Sequence, residues 1–256
     1  PMLDDTQLND AVGILNTTFG VTTFPNGPRR LSPETRQFAA EVMAGTYGRE
    51  MRCAEFALPP RAGAIEDPEL RAAKAVMLIA ENAPLRVVPG ERLTGSAPLL
   101  EAAGHSKPVV GVRSTSHTTI GLEQALNLGL RAYRERIAER SRRGGLSGGQ
   151  RTFLHAMEIC LDAMRVWHKR LMDELTQRMA NSTGRDQRIY REVQASLARV
   201  PERPPRDFRE ALQGLWFLWE FQRLCGNWSG LGRVDKILGP YLQRDLEAQR
   251  LDLDEA

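Results

Sequence analysis

The segment FREALQGLWFLWEFQRL, residues 208–224, constrains the fold more than any other stretch of this chain. Its apolar residues run around most of a helical circumference, whereas a surface helix confines them to one stripe. Such a pattern suggests burial on several sides rather than at a surface, in a chain where helices dominate. Periodicity elsewhere marks them. Leu122, Leu126, Leu130, Tyr133 and Ile137 recur every three or four residues, as do Phe153, Met157, Cys160, Met164, Trp167, Leu171 and Leu175. Ile189, Val193 and Leu197 mark a further helical face. All three stripes read as core packing, Cys160 included.

Punctuation places the helix ends. Ser32-Pro33-Glu34 and Asp67-Pro68-Glu69 each offer a capping oxygen followed by a proline suited to the first turn, and Pro84 closes the helix that the second pair opens. GGLSGG reads as a flexible connector between two helices, and PERPP breaks the chain before the aromatic helix. Between residues 84 and 113 the segments LRVV, ERLTGS and KPVVGVR are short, rich in β-branched residues and bounded by Gly or Pro, which predicts extended segments or short strands. Helices are expected again from Thr119 onward. Residues 1–31, ending in VTTFPNGPRR, read as an N-terminal arm, and 32–256 as the main domain. The fold class is therefore mainly α with short extended segments.

Composition narrows the function. At 256 residues and 41% apolar content the chain can bury a core. Its 35 Lys and Arg against 32 Asp and Glu leave a net charge of +3, too small to imply a polyanionic partner. The basic run RAYRERIAERSRRGG interleaves Glu135 and Glu139 and carries no base-stacking pattern, so it reads as a solvated helix end rather than a nucleic-acid surface. Cys53, Cys160 and Cys225 have no metal-ligand spacing and read as reduced thiols of a cytoplasmic protein. No window approaches the roughly 20 apolar residues of a membrane span. No metal site is expected, and no glycine loop follows a strand to cradle a phosphate.

Polar groups that could face a ligand fall in two places. His117, in RSTSHTT, lies between an extended segment and a helix start, where an imidazole can donate, accept or shuttle a proton. The alternative is a histidine that only anchors its loop. His105, His155 and His168 have no comparable setting, and the last two read as surface or core-edge residues. The second place is GNWSGLGRVD, residues 226–235, directly after the aromatic helix. It is either a corner between helices or part of a cavity wall.

The stretch from PPRDFREALQGLWFLWEFQRL through GNWSGLGRVDKILGPYLQRDLEAQRLDLDEA resembles the N-terminal region of glycyl radical enzymes, the group of pyruvate formate-lyase and its dehydratase and lyase relatives. RAAKAVMLIAENAPLRVVPGERLTGS and HTTIGLEQALNLGLRAYRERI resemble two earlier blocks of that family, so the likeness runs from about residue 32 to the end. The resemblance implies the N-terminal part of an α/β barrel. In that family a glycine near the C-terminus stores a radical and a cysteine on a loop inside the barrel passes it to substrate. Neither motif is present in this sequence, and Cys225, followed by Gly226-Asn227, is expected to end its helix instead. The chain stops at LDLDEA where relatives continue, so an N-terminal fragment is expected, with no catalytic residue of its own and a missing C-terminal half as partner.

The implied function is to supply helical shell and a substrate-orienting wall for radical cleavage or elimination on a small polar organic molecule. The fragment itself would bind no cofactor. For the complete enzyme the resemblance implies a glycyl radical installed by an S-adenosylmethionine-dependent activating enzyme, and a homodimer is one possibility. His117 matches the family's His-Thr motif, whose histidine contacts substrate in dehydratase-like members. Asn227 and Trp228 stand where several of those relatives carry His-Ser, which exchanges the contacts for an amide and a large indole wall, with Ser229 offering a hydroxyl one position later. Arg233 and Asp235 fit the family's Gly-Arg-x-Asp and are expected to form a structural ion pair, tied to neighbouring helices. A helical interaction or adapter protein without catalysis is the alternative reading. The aromatic helix is also expected to leave an apolar patch exposed for the missing half.

Overall fold

The computed structural model describes residues 67–95 and 116–252, except positions 86 and 226, and the isolated positions 37, 40, 41, 44 and 58. The chain divides into two compact units, 1–46 and 47–256. In the first, Gln37 Nε2 donates to Glu41 Oε1 at 2.9 Å and the Ala44 N–H bonds the Ala40 carbonyl, as one helical turn requires. The expected helix start at Ser32-Pro33 and the expected boundary after residue 31 lie outside the described residues.

The second unit is predominantly helical. Helix α1 (Pro68–Asn82) starts as the sequence predicts, with Asp67 Oδ1 accepting from the Glu69 and Leu70 N–H groups and Pro68 in the first turn. Strand β1 is Ser116–Thr119, followed by α2 (Leu122–Leu128) and α3 (Leu130–Arg142). The long helix α4 (Gly148–Ala180) has 33 residues, and α5 (Gly184–Leu197) folds back on it. The aromatic helix α6 (Phe208–Leu224), strand β2 (Trp228–Gly230) and α7 (Val234–Glu247) complete the order. Helices α1, α3 and α5 pack on α4, while α6 contacts α2, α5, α7 and β2.

Four expectations need correction. The stripe from Leu122 to Ile137 belongs to two helices, broken at Gly129, which has φ +75°. The first free N–H groups of α3 turn to the proline-rich segment, Leu130 to the Pro201 carbonyl at 2.9 Å and Arg131 to that of Glu202 at 3.1 Å. Thr119 ends a strand instead of starting a helix. Of the extended segments expected between 84 and 113, the described part (84, 85 and 87–95) holds turns without a strand, and the rest lies outside the described residues. GGLSGG is only half connector: Ser147 caps α4 in a capping box with Gln150, and Gly148 and Gly149 already belong to that helix.

The core forms where the stripes converge. Trp167, Leu171 and Leu175 of α4, Ile189, Val193 and Leu197 of α5, and Phe217 and Phe221 of α6 are all buried, as their spacing predicts. Phe153 is the exception in its stripe. It is 50% exposed, because it sits near the first turn of α4. The exposed apolar patch expected on α6 is not met in that form, since Phe217 and Phe221 are covered within the chain and Trp216 and Trp219 are half-buried. Arg170 of α4 donates to the Ala80 and Ala83 carbonyls at 2.7 Å each and lies over the Trp167 ring, closing the C-terminal end of α1.

Candidate functional site

The turn after α6 is built from the helix itself. Cys225 caps it, donating its N–H to the Phe221 and Arg223 carbonyls. The Asn227 N–H reaches back to the Gln222 carbonyl at 3.0 Å, the long-range bond of a Schellman-type ending, and the sequence places a glycine between the cap and Asn227. Two side chains of α6 then hold the strand that follows. Trp219 Nε1 donates to the Ser229 carbonyl at 2.9 Å, and the buried Ser229 hydroxyl donates to Gln222 Oε1 at 3.0 Å.

That strand meets His117. β1 and β2 form a two-stranded parallel sheet with Ser116 opposite Trp228 and Thr119 opposite Gly230, so the backbones carrying His117 and the Asn227-Trp228-Ser229 segment are neighbours although far apart in sequence. Adjacent strands lie about 5 Å apart. Gly232 follows with φ +78°, and a Cβ there would stand 2.8 Å from the Thr119 methyl, so the corner after β2 closes directly on β1.

Arg233 and Asp235 do form an ion pair, but with each other: Arg233 Nε to Asp235 Oδ1 at 2.8 Å and Nη2 to Oδ2 at 2.5 Å. Both are largely exposed, so in place of a link to neighbouring helices they close the start of α7 on itself. The Arg233 hydrogen bond lowers the Asp235 carboxyl to about 2. Cys225 ends its helix as expected, and burial pushes its thiol well up; burial also raises that of Cys160, and both move in the wrong direction for a nucleophile. His155 is exposed beside Glu158. His168 is a core-edge residue whose Nε2 donates to the Leu197 carbonyl at 2.7 Å and whose ring meets Phe217 edge-on. Burial lowers its pKa despite that bond. His105 and Cys53 lie outside the described residues.

Sequence reasoning missed the polar residues of α6. Gln213 and Glu220 are seven residues apart on one face and both buried. Gln213 Oε1 accepts from the Thr94 N–H at 3.2 Å, while Glu220 receives Trp167 Nε1 at 3.2 and 3.3 Å. Gly95 lies against that carboxyl, where a Cβ would approach to 2.8 Å. Burial raises the Glu220 carboxyl well above the usual range, more than the Trp167 hydrogen bond lowers it. The available signal was the presence of Gln and Glu inside an otherwise apolar helix. Among the described residues, no cluster of His, Cys, Asp and Glu has the form of a metal site, and no helix is long and apolar enough to cross a membrane.

Among the described residues, the helices and their parallel strand pair make a fold similar to that of glycyl radical enzymes. It superposes on a structure titled for 1,2-propanediol dehydration in Roseburia inulinivorans with TM-score 0.61 and 18% identity, over 74% of this chain and 32% of that one. A glycyl radical enzyme from Archaeoglobus fulgidus gives 0.60 and 17%, over 83% and 36%. The chain belongs to the pyruvate formate lyase-like family, which matches residues 67–256. Similar curated proteins include the isethionate sulfite-lyase of Nitratidesulfovibrio vulgaris, 34% identical over 111 residues, covering 42% of this chain and 13% of the relative. The probable dehydratase YbiW of Escherichia coli is 31% identical over 153 residues, or 55% and 18%. The matched region is thus a small part of each of these curated relatives' length.

Proposed function

We propose that this chain forms the N-terminal shell and one substrate-facing wall of a glycyl radical enzyme of lyase or dehydratase type, acting by radical cleavage or elimination on a small polar organic molecule. The observation that carries this reading is the parallel pairing of β1 with β2, which brings the His117 backbone beside the segment that opens with Asn227 and Trp228. Membership of the pyruvate formate lyase-like family favours it over a helical adapter.

In this reading His117 donates or accepts a hydrogen bond at a substrate hydroxyl or acid group. Asn227 offers a donor and an acceptor without charge, and the Trp228 indole supplies an apolar wall with one N–H. Ser229 has its hydroxyl proton directed to Gln222, which leaves its oxygen as an acceptor. Hydrogen abstraction by a thiyl radical requires contact geometry and exclusion of water, and this wall serves the first need. The radical glycine, the relay cysteine and the contact with the S-adenosylmethionine-dependent activating enzyme are assigned to parts of the complete protein outside this chain, in a cytoplasmic and anaerobic setting.

The test is a titration of the isotopically labelled chain with isethionate, glycerol and propane-1,2-diol, followed by nuclear magnetic resonance. One of these should shift both the His117 ring and the Asn227 side-chain amide, and His117→Ala should abolish the Asn227 shift. Shifts at neither residue, or at only one of them, count against the site. Anaerobic treatment with an activating enzyme should give this chain alone no glycyl-type paramagnetic signal, and such a signal would show the radical parts to be misassigned.

A further inference from the structure

Resting on the reading of this turn as a substrate wall, a second residue stands out. Gln222 is a half-buried side chain in the last turn of α6, and it bonds on both sides of Trp228. Its main-chain carbonyl accepts from the Asn227 N–H at 3.0 Å, and its side-chain Oε1 accepts from the Ser229 hydroxyl at 3.0 Å. One residue therefore fixes the positions immediately before and after Trp228. The main-chain bond is available to any residue at this point of a helix ending, but the side-chain bond needs an acceptor of about this length. Trp219, one turn earlier, adds its indole N–H to the Ser229 carbonyl at 2.9 Å. Trp219 itself is braced by Trp216, at 5.1 Å between ring centroids, and by Arg223 above its ring.

The geometry points to Gln222 as the positioning residue of this wall. It locks the register in which β2 leaves α6 and lies beside β1, and through that register it sets where Asn227 and Trp228 stand relative to His117. Without the side-chain acceptor, Ser229 retains only the Trp219 bond to its carbonyl and the strand pairing. The short strand then keeps only one of the two side-chain bonds that tie it to α6. Gln222 needs no contact with substrate for this role.

Amide hydrogen exchange of the whole chain tests the assignment. Gln222→Leu keeps the size and removes the acceptor, and it should speed exchange at Ser229 and Gly230 by about tenfold, the scale of one lost hydrogen bond. Val193 in α5 and Leu171 in α4 should not change. Gln222→Glu keeps an acceptor oxygen and should stay within about threefold of the parent protein, since the bond is retained. Ser229→Ala removes the donor and should reproduce the Gln222→Leu effect, and the double variant should add nothing to either. It also decides the matter if Gln222→Leu does not fold. Unchanged exchange at Ser229 in Ser229→Ala, or a Gln222→Glu variant as loose as Gln222→Leu, overturns the assignment. The Asn227 side-chain amide should remain one sharp resonance in Gln222→Glu and broaden or split in Gln222→Leu. If the parent chain fails the ligand titration while these exchange effects appear, the substrate reading falls and the mechanical role of Gln222 stands.

Discussion

Glu220 is fully buried in the aromatic helix α6, with the Trp167 indole across its two oxygens and the backbone of Gly95 against them. Burial favours the uncharged acid, so the folded-state pKa lies well above the value in the unfolded chain. Below the unfolded value, near pH 4.3, both states hold the proton and Glu220 adds no pH dependence. Above it the unfolded state releases the proton while the fold retains it, so stability falls as pH rises until the folded group also ionises. The slope in that window is at most about 1.4 kcal/mol per pH unit. Glu220→Gln removes it. Urea midpoints between about pH 4 and pH 8 should therefore show the variant gaining on the parent protein as pH rises. Parallel curves would mean that Glu220 ionises as an ordinary surface carboxylate does.

At the scale of elements, the break between α2 and α3 rests on one residue. Gly129 has φ +75°, and a Cβ there would stand 2.6 Å from the Glu202 carbonyl oxygen, whose own role is to accept from Arg131. Gly129→Ala carries both a left-handed backbone penalty and a collision with main chain, and should cost at least about 1–2 kcal/mol by denaturant unfolding. Gly148, in the first turn of α4, faces open space. Gly148→Ala should be neutral or stabilising by up to about 1 kcal/mol. Equal costs at the two sites would show that loss of glycine, rather than the packing at Gly129, is being measured.

Element type was legible where the hydrophobic period was long. The Asp67-Pro68 start, the Ile189-Val193-Leu197 face and the core stripe of α4 follow from spacing and capping chemistry alone. The break at Gly129 was hidden because the apolar rows of α2 and α3 continue in phase across it. Phe153 was misread because periodicity reports a face and not how far the neighbouring elements extend along it. The strands were not legible, since three or four residues carry too little alternation to be distinguished from a loop. At the site, the residues of the turn were named from the sequence. What holds that turn was missed, because Gln222 and Trp219 act through bonds that only tertiary placement creates.

At the scale of the whole second unit, β1 and β2 are joined through α6. The strand pair is non-local, so its register depends on how that helix sits against its neighbours. Gly214 lets α6 approach Leu126 of α2 and Val200, with a Cβ there only 2.9 Å from the Leu126 side chain, and α2 begins just beyond β1. Tyr241 of α7 reaches Asn127 of α2 at 2.8 Å from the other side of β2 in sequence. Both strands are therefore framed by α2, α6 and α7, whereas α4 and α5 pack on each other and on α6 and, among the described residues, make no extensive contact with the strands. This separation predicts a local failure. Gly232→Ala adds a Cβ 2.8 Å from the Thr119 methyl at a residue with φ +78°, so the strained corner or Thr119 must shift. Exchange at Thr119 and Gly230 should rise by tenfold or more, the scale of about 1.4 kcal/mol, while Leu171 and Val193 keep their protection. If the proposed site binds a small molecule, the His117 shifts that it induces should weaken with it, because β1 and β2 would no longer share a register. A uniform rise in exchange across α4 and α5 would contradict the separation, and unchanged exchange at Thr119 would contradict the pairing itself.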